Sequence, residues 1–391
     1  MKTRSFRNII LSYLAFLSMT TAVSAQEYGE GNTCCEPCSA DIGRFSVGAD
    51  WLYWKTAEDG LNYGLLTTSS SVITTDPATS GTITTITPDQ KILKPHFKYD
   101  SGYRVYAGYE FPCYDWEIDV IYTHAPQSLA RNSYLVVPMP DLIPPLTQTI
   151  TILQNSLFNF DGTFPAPSPV AVTVLGPLIP VFVGNAVKTE WLSDFDYVDF
   201  DLAHMLCLTD YLIVRPHFGV RYLWAKQSFK IDFAATKAAG GIILGHPSFE
   251  TIAAFLKNRT HGVGVEGGLW GDCKVGYGFS IIGHIGGSIL YGKHKINGSK
   301  VITVNTAITN TGVTVPVTTI TNSSYRDIEH TAIPMMDYFI GLQYEACISE
   351  VEVNFHVGWE QHIAYDMNRF TTTDGGDLSL QGLTLGGGFA F

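Results

Sequence analysis

The residues best equipped for chemistry in this 391-residue chain are its seven cysteines, and their spacing is unusual. Cys34, Cys35 and Cys38 stand together in "CCEPC". Cys113, Cys207, Cys273 and Cys347 are spread widely, yet each sits between runs in which apolar and polar residues alternate, as in "AGYEFPCYDWEIDVIY" and "GLQYEACISEVEVNFHVGW". The Cys-x-x-Cys from Cys35 to Cys38 lacks the second pair a zinc site needs and the βαβ setting of a redox motif. Disulfide formation in an oxidising compartment is the expected chemistry. Seven is odd, so at least one cysteine is left as a free thiol or for a bond to another chain.

Other motifs fail on context. Gly262-x-Gly264-x-x-Gly267 has the letters of a dinucleotide fingerprint but lies inside an alternating run rather than between a strand and a helix. Gly287 to Lys293 approaches a phosphate loop, with His294 where Ser or Thr is required. No His-Glu-x-x-His helix and no Gly-x-Ser-x-Gly elbow occurs in the chain. No catalytic residue, metal or cofactor is therefore expected, and the chain does not read as an enzyme. The sequons at Asn258, Asn297 and Asn322 read as accidental.

The first residues set the expected compartment. Lys2, Arg4 and Arg7 precede the apolar run "IILSYLAFLSM", and Val23-Ser24-Ala25 offers a small-residue cleavage site. The run is short of the ~20 residues of a spanning helix, so residues 1–25 read as an export signal. The full chain carries a net charge of −12; without the three basic residues of that segment it carries −15. This balance argues against nucleic acid, which is bound by neutralising phosphates. Residues 26–43 form a Cys-bearing segment, expected on the periplasmic side.

From residue 44 to 391 the apolar residues recur with period two, the mark of strands. Helical periodicity is best approached in the short "FETIAAFLKN" from Phe249. In "FKYDSGYRVYAGY", Phe97, Tyr99, Tyr103, Val105 and Tyr109 share one face, and Lys98, Asp100 and Arg104 share the other. "RFSVGADWLYWKT", "WEIDVIYTH", "LIVRPHFGVRYLW", "VGYGFSIIGHIGGSILY" and "VEVNFHVGWE" repeat the scheme. A soluble β-sandwich also alternates, but its strands are usually near ~5–6 residues. These are long enough to cross a bilayer, and Trp and Tyr gather at the ends of their apolar faces. The expected fold is an all-β transmembrane antiparallel barrel of outer-membrane type. Ten strands are clear, and twelve or more are expected once runs such as "QTITILQ" and "VAVTVL" are counted.

Long connections are expected over residues 56–96, 125–188, 225–257, 292–329 and 364–377. In such barrels the long loops face outside and the short turns face the periplasm. Cys113, Cys207, Cys273 and Cys347 fall at the short turns and would ring the periplasmic rim. The polar faces would line the lumen with Lys98, Asp100, Arg104, Glu117, Asp119, Asp194, Asp196, Arg215, His217, Arg221, Glu352 and His356; His284 also lies on a polar face. The last strand, "GLTLGGGFAF", places Phe389 and Phe391 on one face, resembling the signal read by the barrel assembly machinery.

The runs "VGADWLYWKTAEDGLNYG", "KYDSGYRVYAGYEFPCYDWEIDVIYTH", "RPHFGVRYLW" and "GLTLGGGFAF" resemble the pore-forming major outer membrane proteins of Legionella type, also found in Chlamydia-related bacteria. The resemblance implies a porin-like channel for small hydrophilic solutes in the bacterial outer membrane. It also implies an abundant envelope protein that disulfides cross-link, to itself or to other Cys-containing envelope proteins. Expected partners are outer-membrane lipid and lipopolysaccharide and the barrel assembly machinery. A surface-exposed structural or adhesive barrel with a narrow or plugged lumen is the alternative, because an eight-stranded barrel is just filled by its side chains.

Overall fold

The computed structural model describes residues 43–62, 64–75, 82–112, 115–135, 147–154, 185–237, 248–310, 313–348, 351–370 and 375–391. The expected export signal, Cys34, Cys35, Cys38, Cys113 and the run "VAVTVL" lie outside them. Fifteen strands and no helix occur among the described residues. Alternation governs each strand. In β1 (Arg44–Glu58), Phe45, Val47, Trp51 and Tyr53 are exposed while Asp50, Leu52, Trp54 and Thr56 are buried. One face of the ribbon meets lipid and the other faces the interior.

The remaining elements are β2 (Gly64–Thr75), β3 (Thr82–Leu93), β4 (Tyr99–Glu110), β5 (Trp116–His124), β6 (Ser128–Leu135), β7 (Thr147–Gln154) and β8 (Asn185–His204). The chain continues through β9 (Leu206–Thr209), β10 (Leu212–Lys237), β11 (Ser248–Gly276), β12 (Phe279–Asn310), β13 (Val313–Ile348), β14 (Val351–Asn368) and β15 (Gly376–Ala390). Twelve of them form one antiparallel sheet in the order β6-β8-β5-β4-β1-β15-β14-β13-β12-β11-β10-β9, and β8 also pairs with β10. That last pairing closes a ring. Strand β6 continues β5 along β8 beyond residues 125–127, and β9 continues β8 along β10 beyond Met205. Twelve elements less these two continuations leave ten staves around the barrel. Strands β2, β3 and β7 pair separately as a three-stranded sheet, and β7 is the strand expected from "QTITILQ".

The first and last staves make the seam. Strand β1 pairs with β15 from Ser46↔Ala390 to Glu58↔Leu378. Phe45 and Phe391 complete it by exchanging backbone hydrogen bonds of 2.9 Å in both directions. Phe389 and Phe391 are exposed on the outward face, as expected for the terminal strand.

Within the expected long connections over residues 225–257 and 292–329, the described residues are instead strand. Strand β12 runs up to Asn310 and β13 returns from Val313, and β10 and β11 reach Lys237 and Ser248. The helix-like run from Phe249 belongs to β11, where Ala254, Leu256 and Asn258 are buried and Ala253, Phe255 and Arg259 are exposed. What hid these extensions is a change of phase. In the lower part of β10 the apolar Phe218, Val220 and Tyr222 point out to lipid. Higher up, Lys226 and Lys230 point out, and Phe229, Ile231 and Phe233 are buried. Beyond the bilayer the outside is water, so the apolar face turns inward.

Short turns close the opposite rim. Tyr277 and Gly278 join β11 to β12 with φ of 54° and 81°, the mirror-type turn that matches strand twist. Cys273 ends β11 near this turn, Cys207 lies in β9 and Cys347 near the end of β13. These three cysteines therefore share the short-turn rim.

The seam has little room. A Cβ on Gly382 would lie 2.2 Å from the Tyr53 carbonyl oxygen. Gly382→Val is expected to lower stability by about 1–3 kcal/mol, while Leu383→Val on the outward face stays near wild type. Urea unfolding followed by heat-modifiable gel mobility checks both.

Candidate functional site

The lumen changes character with height. At the short-turn end, Arg44 pairs with Glu352 at 2.6 Å and Glu110 at 3.9 Å. Arg215 pairs with Glu117 and, at 3.4 Å, with Asp119. The Arg44 and Arg215 side chains retain about a third of their exposure, 34% and 30%, so water reaches this vestibule. Above it, the rings of His217 and His284 lie 5.1 Å apart, and Trp270 stacks on His284 at 4.5 Å.

At mid-height a belt of buried charges crosses the interior. Arg104 reaches Asp50 at 3.2 Å and Glu360 at 2.5 Å. His362 lies between Glu360, 2.9 Å from Nε2, and Asp337, 2.6 Å from Nδ1. Arg221 joins Asp337 at 2.6 Å, Glu266 at 2.8 Å and Asp199 at 2.7 Å. Thr384 donates to Glu360 at 2.7 Å and accepts from Trp54 Nε1 at 3.1 Å. Arg104 Nε donates to Thr123, and Ser288 accepts from Arg221 at 3.5 Å. Every one of the ten staves thus contributes a side chain. The acids, Arg221 and His362 keep no more than 6% side-chain exposure, and Arg104 keeps 13%. Tyr197 lies under the Arg221 guanidinium at 4.8 Å.

Above the belt the interior is mainly apolar, although Glu58 and Gln227 are also buried there. Leu223, Phe229, Leu256, Leu290, Ile333, Met335, Leu378 and Leu380 pack in one buried cluster. Polar groups interrupt this cluster between Leu223 and Phe229, where Thr260, paired with Ala225, lies 2.9 Å from His294 Nδ1.

Eight of the expected lumen residues face the interior: Arg104, Glu117, Asp119, Arg215, His217, Arg221, Glu352 and His356. The last sits 3.2 Å from Asp50. Four do not line it. Asp194 and Asp196 are on the outward face of β8, since the buried inward residues there are Trp191, Ser193, Phe195, Tyr197, Asp199 and Asp201. The segment alternates Asp on both faces, so periodicity alone does not fix its phase. Lys98 and Asp100 are exposed at the mouth. Strand β5 stops pairing with β4 at Tyr103↔His124, leaving Asp100 without a neighbour on that side. Asp50, Asp199, Glu266, Asp337, Glu360 and His362 were not among the expected lumen residues, although Glu360 lies on the polar face of "VEVNFHVGWE" with Glu352 and His356. Asp50 was legible, because it shares the polar face of "RFSVGADWLYW" with Gly48.

Outside the barrel, His124, Asp194 and Asp196 bring donor atoms within 4.8 Å of one another. At the rim, Cys207 and Cys273 are free thiols, whereas Cys347 is not free. Cys207 pairs with Ile213 and Cys273 with Leu212 on opposite sides of β10. Two strand spacings, about 9–10 Å, keep them too far apart to bridge each other.

The family described as Legionella pneumophila major outer membrane protein precursor matches residues 36–391. The chain belongs to this family. It is a bacterial outer-membrane β-barrel protein, in contact with the lipids of that membrane. No curated protein matches it. Among solved structures it is similar to the outer membrane protease OmpT of Escherichia coli, with 9% identity over 91% of this chain and 98% of that one and a TM-score of 0.34. It is also similar to a FadL homologue of Pseudomonas aeruginosa, with 8% identity over 90% of each chain and a TM-score of 0.23.

The belt generates a stability prediction. Arg221→Met leaves Asp199, Glu266 and Asp337 buried beside one another without their cation, which costs about 3–5 kcal/mol. The urea midpoint of the folded barrel in detergent should fall accordingly. Arg131→Met removes only an exposed pair with Glu190 and should change it little.

Proposed function

We propose that this protein is a narrow solute channel of the outer membrane, held shut in the conformation described by the mid-height belt. The observation that carries this reading is the chemistry of the closure. A barrel meant only to be solid can be filled with apolar side chains, and buried ion pairs are often no more stabilising than such packing. Here charged side chains from all round the ring meet instead, above a hydrated vestibule lined by Arg44, Glu352, Glu117 and Arg215. Small shifts of Arg104 or His362 would expose acceptors and donors to an ion or small hydrophilic solute rather than bare hydrocarbon. An open general diffusion pore fits less well, because ten staves leave little space once the interior side chains are in place. The reading assigns no enzymatic activity.

The second reading is a closed structural or adhesive barrel. The apolar layer above the belt favours it, since that layer must also part before anything polar passes.

Planar-bilayer recording separates the two. Wild-type barrel should show long closed periods with brief, small openings. Glu360→Gln keeps the shape of the side chain but weakens its hold on Arg104 and His362, and should raise open probability by about tenfold, the effect of ~1.4 kcal/mol. Large, steady wild-type steps would overturn the closed state. Silence from both proteins, with the folded gel band intact, would establish the structural reading.

The envelope-structural role rests on the rim cysteines. The free thiols of Cys207 and Cys273 cannot reach each other and face the periplasmic side, which suits bonds to neighbouring chains. Native protein should run as higher-order bands on non-reducing gels, lost on reduction and diminished in Cys207→Ser/Cys273→Ser. Monomer under both conditions would rule this role out.

A further inference from the structure

The outer surface of four adjacent staves carries a cationic field that the channel reading does not use. Side chains on the outward face of β10 to β13 are apolar up to Tyr222, Val263 and Tyr291. Directly above, the register aligns cations from strand to strand. His261 pairs with Lys293, Arg259 with Lys295, and Lys257 with Asn297, which faces Arg326. Arg259, Lys293, Lys295 and Arg326 are exposed and Lys257 is half-buried. None of these five is in an ion pair among the described residues. Their inward neighbours, Asn258, Thr260, His294 and Ile296, are buried, so the cations cannot fold back into the barrel.

This clustering opposes the overall balance of a chain with net charge −12. The adjacent stave β8, paired with β10, instead carries Glu190, Asp194 and Asp196 on its outward face. Like charges on neighbouring strands repel, so without a counter-charge the row costs stability. Its height identifies the counter-charge. The row begins where the lipid-facing surface ends and lies on the side of the long strand extensions, which is the outer face of the membrane.

We propose that Lys257, Arg259, Lys293, Lys295 and Arg326 form a docking surface for the phosphorylated glycolipid of the outer leaflet. The acyl chains of that lipid would lie on the apolar staves below, and its headgroup phosphates would be held by the guanidinium and ammonium groups. Arg259 and Arg326 offer forked donors suited to phosphate oxygens, and the lysines supply point charges. The surface is specific for lipid because its apolar lower half is continuous with the cationic upper half. A free phosphate would gain only the latter.

The test titrates the folded protein in detergent with lipopolysaccharide, with the same glycolipid stripped of its lipid A phosphates, and with inorganic phosphate. The intact glycolipid should bind at least about tenfold more tightly than the stripped form, with an affinity that falls as salt rises. Lys257→Gln/Arg259→Gln/Lys293→Gln/Lys295→Gln should lose at least about tenfold in affinity and show a flatter salt dependence. Lys188→Gln, on the outward face of β8, should bind as wild type. Should the quadruple variant not fold, Lys293→Gln/Lys295→Gln alters only exposed side chains and should still lose at least about threefold. Equal binding of intact and stripped glycolipid, or unchanged affinity in the folded variants, would overturn the proposal. Competition by inorganic phosphate at the glycolipid's own concentration would overturn it in favour of a free-anion site.

Discussion

The bilayer core offers no water to a backbone amide, and the rest of this structure follows from that constraint. Each N–H and C=O in the lipid zone must find its partner within the chain, and a sheet can achieve this only by closing on itself. The two closures here are unlike in sequence distance. The pairing of β8 with β10 joins near neighbours, whereas that of β1 with β15 joins the two ends of the described chain. The second is the costly one, since the whole barrel must be ordered before it forms. Its glycine at residue 382 and the reciprocal bonds of Phe45 and Phe391 tighten that contact.

The same constraint explains which parts of the fold were legible in the sequence. Within the bilayer the outside of the barrel is always apolar, so the alternation in "RFSVGADWLYWKT" or "LIVRPHFGVRYLW" reveals both the strand and its inward face. Above the bilayer water lies outside, and the apolar residues belong within. A strand that crosses the boundary reverses its pattern, as β10 does between Tyr222 and Phe229. Read with one fixed phase, such a strand ends at the boundary and dissolves into a loop. Asp194 and Asp196 were assigned to the lumen for this reason. They stand near the reversal, where Asp199 and Asp201 on the opposite face look identical by composition. The long extensions of β12 and β13 carry Thr, Ser and Asn at many positions and lack even a clear apolar face.

The belt was only half visible for a different reason. Arg104 and Arg221 could be placed on polar faces by counting, but their partners lie on other staves. Which acid meets which arginine depends on the stagger of the ring, and sequence carries no record of it. Asp337 is the clearest case. It stands among Met335, Met336, Tyr338 and Phe339, and nothing local marks it as the carboxylate shared by Arg221 and His362. Buried charges constrain a barrel more strictly than apolar filling does. A slip of one residue in any stave would turn its belt member to the lipid side and leave several buried charges unpaired. The belt therefore fixes the register of the ring whatever it also does for transport.

Inside and outside are joined through the staves β10 to β13. Arg221, Glu266, Ser288 and Asp337 project inward from them at mid-height, while Lys257, Arg259, Lys293, Lys295 and Arg326 project outward from three of the four just above the lipid boundary. Arg221 gathers three carboxylates, so it is the member least able to move without its strand. A strand, in turn, shifts only with the partners to which its ladder binds it. An outer-leaflet headgroup bound across β11, β12 and β13 would tie those strands together on the side opposite the belt. The wall formed by β1, β4 and β14 bears Asp50, Arg104, Glu360 and His362 and carries no comparable outward row of cations among the described residues. If the belt parts, the mechanics favour parting at Arg104 and Glu360, with Arg221 remaining bonded to Glu266 and Asp337 of the braced wall.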